Sequence, residues 1–164
     1  MRLATLALSG VLAGLSSACT PPDIIWNSID IPFAIQVQNA SYPDIDMRHI
    51  TFTPSGGGDQ HLYLSPSGAA VSNFQLQGGV WVNGPTIRAV VSTQHDADGT
   101  TNIFFTERTQ QLAALNARFG CHPVTDGWQV EFDLQDGSST CIRPASGGRY
   151  ELRYKPVGVS GMLV

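Results

Sequence analysis

From Phe33 to Lys155 the chain is written in short runs that alternate apolar and polar residues, each closed by Gly, Pro, Asn or Asp. Phe33, Ile35 and Val37 alternate with Gln36 and Gln38; Leu62 and Leu64 with His61 and Tyr63; Phe74 and Leu76 with Asn73, Gln75 and Gln77. Val80 and Val82 bracket Trp81, and Ile87, Ala89 and Val91 face away from Arg88. The longest run sets Trp128, Val130, Phe132 and Leu134 against Gln129, Glu131 and Asp133. Period two with one polar face predicts half-buried antiparallel strands. Trp128 is expected to face the core.

Turn chemistry agrees. Asp126-Gly127 precedes the longest run and Asp136-Gly137 ends it, with residues 139–143 expected to return beside it. Gly accepts positive φ at no steric cost, which makes Asp-Gly a hairpin signal. In the last run Tyr150, Leu152 and Tyr154 are expected inward and Glu151, Arg153 and Lys155 outward. Pairing with 128–134 would set Glu131 and Asp133 opposite Arg153 and Lys155.

One segment departs from the pattern. Residues 107–119 (ERTQQLAALNARF) are rich in helix formers, with Leu112, Leu115 and Phe119 at helical spacing and Gly120 as a stop. They predict a short helix; two strands meeting near Asn116 are the alternative. Seven to nine short strands predict a mainly antiparallel all-β fold, a β-sandwich with that helix added. A barrel or trefoil is compatible with the same pattern, but no threefold repeat supports the trefoil. No linker divides the chain, so residues 19–164 are expected to form a single domain, with an ordered core from about 23 to 158.

The N-terminus reads as an address. Met1-Arg2, an uncharged apolar run from Leu3 to Leu15, and small Ser16-Ser17-Ala18 make a secretory leader over residues 1–18. The run is short of the roughly twenty residues a bilayer crossing needs, so no membrane span is expected. Cys19 after Ala18 also suggests a lipoprotein signal, weakened by Ser16 where a bulky aliphatic is usual. Cleavage after Ala18 leaves 164 − 18 = 146 residues and a charge of 8 − 13 = −5, against −4 for the full chain.

Export gives the cysteines a meaning. Cys121 and Cys141 are expected to form a disulfide in an oxidising compartment, leaving Cys19 odd or lost with the leader. No CxxC or HxxxH accompanies Cys121-His122, so no metal ligand set is expected. Asn39-Ala40-Ser41 is a glycosylation sequon and marks Asn39 as a solvent-facing acceptor.

Charge removes some function classes. Nine Lys+Arg against thirteen Asp+Glu leave no basic excess for nucleic acid. Ser55-Gly56-Gly57-Gly58 lacks the following helix and the lysine of a phosphate cradle, and reads as a turn; Asp59 and His61 beside it are candidates for a polar pocket. His95-Asp96-Ala97-Asp98-Gly99 has a faint calcium-loop look but reads as an acidic hairpin tip. No GxSxG occurs, and the histidines (His49, His61, His95 and His122) are dispersed, so no catalytic residues are assigned and no cofactor is expected. The aromatic residues suggest sugar stacking, with Trp81 as the ligand-facing ring and Tyr63, His61 and Asp59 as neighbours.

Three stretches carry a resemblance: FAIQVQNASYP (33–43), GGGDQHLYLSP (56–66), and FFTERTQQLAALNARFGC (104–121) with CIRPASGGRYELRYKP (141–156). Together they resemble an uncharacterised family of small secreted fungal proteins. That resemblance implies a eukaryotic secretory route and an extracellular β-rich domain, and is consistent with pairing Cys121 to Cys141; it brings no activity or site residues. The sequence therefore leads to a secreted, non-catalytic binding module whose partner is polysaccharide or a cell-surface protein. A small hydrolase using His and Asp residues and a host-directed effector are the alternatives.

Overall fold

A computed structural model describes residues 19–66 and 69–160. The expected leader, residues 1–18, lies outside the described residues. The strands are β1 (Ile25–Trp26), β2 (Ile29–Phe33), β3 (Ile50–Pro54), β4 (Gln60–Leu64), β5 (Phe74–Gln77) and β6 (Val80–Asn83). They continue as β7 (Ile87–Val91), β8 (Thr101–Thr106), β9 (Leu115–Cys121), β10 (Trp128–Leu134), β11 (Ser139–Ala145) and β12 (Arg149–Lys155).

All pairings are antiparallel and form two packed sheets, the sandwich the alternation predicts. One has three strands, β1-β9-β10. The other runs β11-β12-β4-β8-β7-β6-β5-β2, with β3 on β4. Prolines fall on strands with a free edge (Pro32 in β2, Pro54 in β3, Pro144 in β11), where a missing N–H costs no ladder bond. Between β5 and β6, Gly78 and Gly79 both have positive φ, the requirement of a two-residue hairpin turn. Gly79 also meets the other sheet: its carbonyl accepts the Leu115 N–H, and a Cβ there would stand 3.0 Å from the Leu115 oxygen.

The core lies between the sheets. Phe52 stacks on Phe74 (centroids 4.7 Å) and meets Phe105 edge-on (5.1 Å), with Leu62, Leu64, Leu76 and Ile103 around them. Leu115, Ala117 and Leu134 close it from the three-stranded sheet. Tyr150, Leu152 and Tyr154 point into it, as their alternation predicts.

Four expectations are corrected. Residues 107–119 form no helix: beside the helical spacing of Leu112, Leu115 and Phe119 runs the alternation of Leu115, Ala117 and Phe119, and β9 pairs with β10 over seven registered residues. Tertiary pairing outweighs the intrinsic helix preference. Residues 139–145 do not return on β10; after the Asp136-Gly137 turn, β11 pairs along its length with β12. Glu131 and Asp133 consequently face Arg118 of β9, at 3.8 and 3.0 Å, rather than Arg153 and Lys155. The disulfide joins Cys19 to Cys121, not Cys121 to Cys141. Cys121 and Cys141 belong to different sheets, and Cys141 is a buried free thiol whose pKa burial pushes up. Because the Cys19 sulfur is in a disulfide, it is not available for a lipid thioether.

The disulfide spans 102 residues and ties the first described residue to the end of β9. In the chain-entropy picture a loop of that size contributes about 4–5 kcal/mol, so Cys121→Ala should lower unfolding free energy by several kcal/mol and Cys141→Ser by much less. Alkylation of denatured, unreduced protein followed by peptide mapping should label Cys141 alone; label on Cys19 or Cys121 contradicts the pairing.

Candidate functional site

The inner face of the three-stranded sheet is one continuous apolar surface. Paired residues across antiparallel strands share a face, so Leu134–Leu115, Phe132–Ala117, Val130–Phe119, Trp128–Cys121 and Trp26–Ala117 all point the same way. At the Leu115 end this surface is core. Toward Cys121 it runs past the cover of the larger sheet, and its rings emerge: Trp128 is 63% exposed and Trp26 is 38% exposed. Phe119 sits between them, 5.3 Å from Trp26 and 5.7 Å from Trp128. The Cys19–Cys121 disulfide anchors this end, and the Cys19 N–H donates to Asp126 in the turn before Trp128 (3.2 Å).

Between the buried and exposed parts lies a cleft of about 710 Å³, within the range of ligand sites. Its apolar floor includes Trp81, Phe132, Ile142 and Leu152. The run 34–39 forms one wall, residues 129–132 of β10 another, and residues 140–142 of β11 border it too. Phe33 stacks on Phe132 at 5.5 Å, and the Gln38 and Gln129 side-chain amides bond each other at 2.8 and 2.9 Å. Asn39, the sequon residue, is half-buried and also borders the cleft.

Of the residues expected at a ligand site, Trp81 borders the cleft, but as a buried floor residue rather than an outward-facing ring. It is 3% exposed, packed edge-on against Phe132 (5.3 Å) and Phe74 (6.3 Å), with no hydrogen-bond acceptor for its indole N–H. Val80 and Val82 are buried on the opposite face of β6, where Val80 bridges to Ala114; the inference from burial of the valines fails because β6 is covered on both faces. Trp128, expected in the core, is the exposed ring. The inward alternation was right, but the core ends before that strand does.

His61 and Tyr63 lie side by side on the outer face of the large sheet, away from Trp81, while Asp59 is engaged by Arg108. The two rings stack at 6.5 Å, and Arg149 lies over Tyr63 at 4.5 Å. His61 also approaches Glu151 at 3.5 Å. Glu151 belongs to a cluster with little precedent in the sequence pattern. Arg153 is 1% exposed and donates to Glu151 (3.1 Å), to Thr100 (3.3 Å) and to Asp96. Arg143 donates to the same Glu151 oxygen (3.1 Å) and to Asp96. The acidic tip with the calcium-loop look thus binds the protein's own guanidinium groups, and Asp98 is further held by the N–H (2.9 Å) and hydroxyl (2.7 Å) of Thr100. Among the described residues, no group of three or more His, Cys, Asp or Glu is placed to hold a metal ion.

These contacts set the carboxylate pKa values. The hydrogen bond from Arg143 leads in holding Asp96 below its usual range, and the Thr100 bonds do so for Asp98. Burial pushes Glu151 up, but His61, Arg153 and Arg143 outweigh it and leave it lowered. A depressed carboxylate stabilises the fold above its unfolded pKa, near 4, and that stability is lost as pH falls through the lower folded value. The melting temperature should therefore hold near neutrality and fall in acid below about pH 4. Arg153→Met removes a buried partner of Glu151 and Asp96 and leaves Glu151 to Arg143 and His61, so it should lower stability at pH 7 by up to about 3 kcal/mol and, by raising the folded pKa of Glu151 towards its unfolded value, shrink the loss of melting temperature in acid. A thermal-melt series that shows neither effect contradicts the assigned network.

No curated protein and no solved structure matches the chain. Among the described residues, no helix is long and apolar enough to cross a membrane. A family profile matches residues 19–162, the whole described body, and begins at the disulfide-bonded Cys19. On that match the chain belongs to the family DUF7909, a domain of unknown function.

Proposed function

We propose that the protein is an exported, non-catalytic binding module that works outside a fungal cell and holds polysaccharide through the rings of Trp26, Phe119 and Trp128. The exposure of Trp128 at the end of an otherwise core-facing row carries this reading. A ring that large gains much from burial, so leaving it in water costs stability unless a partner covers it. Aromatic faces suit the apolar C–H faces of sugars, and His122, Asp126 and Gln129 stand nearby in sequence as hydrogen-bonding groups.

The leader over residues 1–18 and the resemblance to secreted fungal proteins support export. The disulfide is consistent with it, because such bonds persist in oxidising compartments. The Asn39 sequon would receive a glycan on that route, at the rim of the cleft.

Retention on insoluble chitin and β-glucan, measured as the bound fraction at increasing protein concentration, tests the reading. Each ring is worth on the order of 1 kcal/mol beyond its area, so Trp26→Ala with Trp128→Ala should weaken retention roughly tenfold or more. Trp81→Ala should instead lower stability by about 3–5 kcal/mol while folded protein keeps its retention. Undiminished retention by the double variant, or none by the parent protein on either polymer, defeats the proposal.

A further inference from the structure

The cleft is bordered by consecutive residues, and that is unusual for a pocket read by side chains alone. Side chains of a strand alternate between faces, so 129, 130, 131 and 132 can border one cleft together only along the edge of β10, where the main chain lies. The same holds for 140–142 of β11, while the irregular run 34–39 borders the cleft along its whole length. Strand order explains why those edges are open. β10 ends the three-stranded sheet and pairs only with β9; β11 ends the other sheet and pairs only with β12. The two are joined by one turn but carry no ladder between them. The run around Ile35 and Val37 bonds residues 47–50 with its main chain: Val37 N–H to the Arg48 carbonyl at 2.9 Å, and Ile50 N–H to the Ile35 carbonyl at 2.9 Å.

An open strand edge is a row of N–H and C=O groups ready to pair with another chain. We propose that this cleft is a peptide-binding site, in which an extended segment of a partner protein adds as a strand along the edge of β10. The chemistry of the walls defines the segment. Trp81, Phe132, Ile142 and Leu152 at the floor take an apolar side chain at every second position. Gln38 and Gln129, which bond each other between the 34–39 wall and β10, would exchange those bonds for the polar residues of the segment, and Thr140 lies at the same margin. No Lys or Arg lines the cleft, and Glu131, the one carboxylate among its lining residues, already faces Arg118 at 3.8 Å, so the charge at the walls favours an uncharged segment over an anionic one. The wall 34–39 is six residues long and sets the length of strand the cleft can register. This site is separate from the polysaccharide strip, although Val130 lies between the two.

The test uses the full chain with intact disulfide and an equimolar pool of capped, uncharged peptides of about six residues, alternating Val, Ile, Leu or Phe with Thr, Ser or Gln. Amide chemical shifts of isotope-labelled protein are followed during titration. The expected result is saturable change at 34–39, 129–132 and 140–142, with slowed amide exchange in β10. Members enriched on the protein are then remade with N-methyl groups at every second residue, which removes donors without removing side chains. Those versions should bind at least tenfold more weakly, and the all-D versions should lose binding likewise. No saturable change with the pool overturns the proposal. So does undiminished binding of the N-methylated peptides, which means side chains alone are read, or change confined to Trp26 and Trp128. Polysaccharide retention is scored separately, so failure here leaves that reading standing or falling on its own result.

Discussion

The rest of the structure depends on a mismatch of lengths between two apolar faces. The inner face of β9 and β10 stays apolar from the Leu115–Leu134 pair to the Cys121–Trp128 pair. The larger sheet covers only the first part, with Leu115, Ala117 and Leu134 in the common core. The middle becomes the cleft, and the far end becomes the row of Trp26, Phe119 and Trp128. Packing, cavity and exposed aromatic row are successive stretches of one surface. Such a splayed end would fray without a tether, and the Cys19–Cys121 bond supplies one where the apolar cover gives out.

Polar chemistry holds the opposite face of the large sheet. Arg153 is almost wholly withdrawn from water, which is tolerable only because carboxylates and a hydroxyl meet its guanidinium. Arg143 shares those carboxylates, and the 96–99 tip is thereby drawn down over β12. The charges look from the sequence like separate surface acids and bases. In space they form one cluster, in which the guanidinium groups of Arg143 and Arg153 meet the carboxylates of Asp96, Asp98 and Glu151, so the acidic tip is already engaged by the protein's own cations.

What was legible in the sequence, and what was not, divides along one physical line. Alternation is local, so the strand of Tyr150, Leu152 and Tyr154 and the inward row of β10 could be read directly. Where a core stops is not local: Trp128 obeys the alternation yet stands in solvent, and Trp81 defies it because β6 is covered on both faces. Residues 112–119 carry both periods at once, and the pairing of β9 with β10, with the bridges of Leu112 and Ala114 to the larger sheet, decides between them. Cysteine pairing is non-local in the same way. Nineteen intervening residues made Cys121 and Cys141 plausible partners, but the turn at Asp136-Gly137 sends them to different sheets. The best sequence clue to the exposed ring was its place at the very start of β10, directly after Asp126-Gly127, where cover is thinnest.

Residue-resolved oxidative footprinting of the three tryptophans tests the overhang most directly, because each ring reports on one stretch of the sandwich. On brief exposure of native protein to hydroxyl radicals, the account predicts fast oxidation of Trp128, slower oxidation of Trp26, and protection of Trp81 until unfolding. Comparable rates for all three, or a Trp128 as protected as Trp81, would mean the larger sheet covers the whole inner face and would contradict the account.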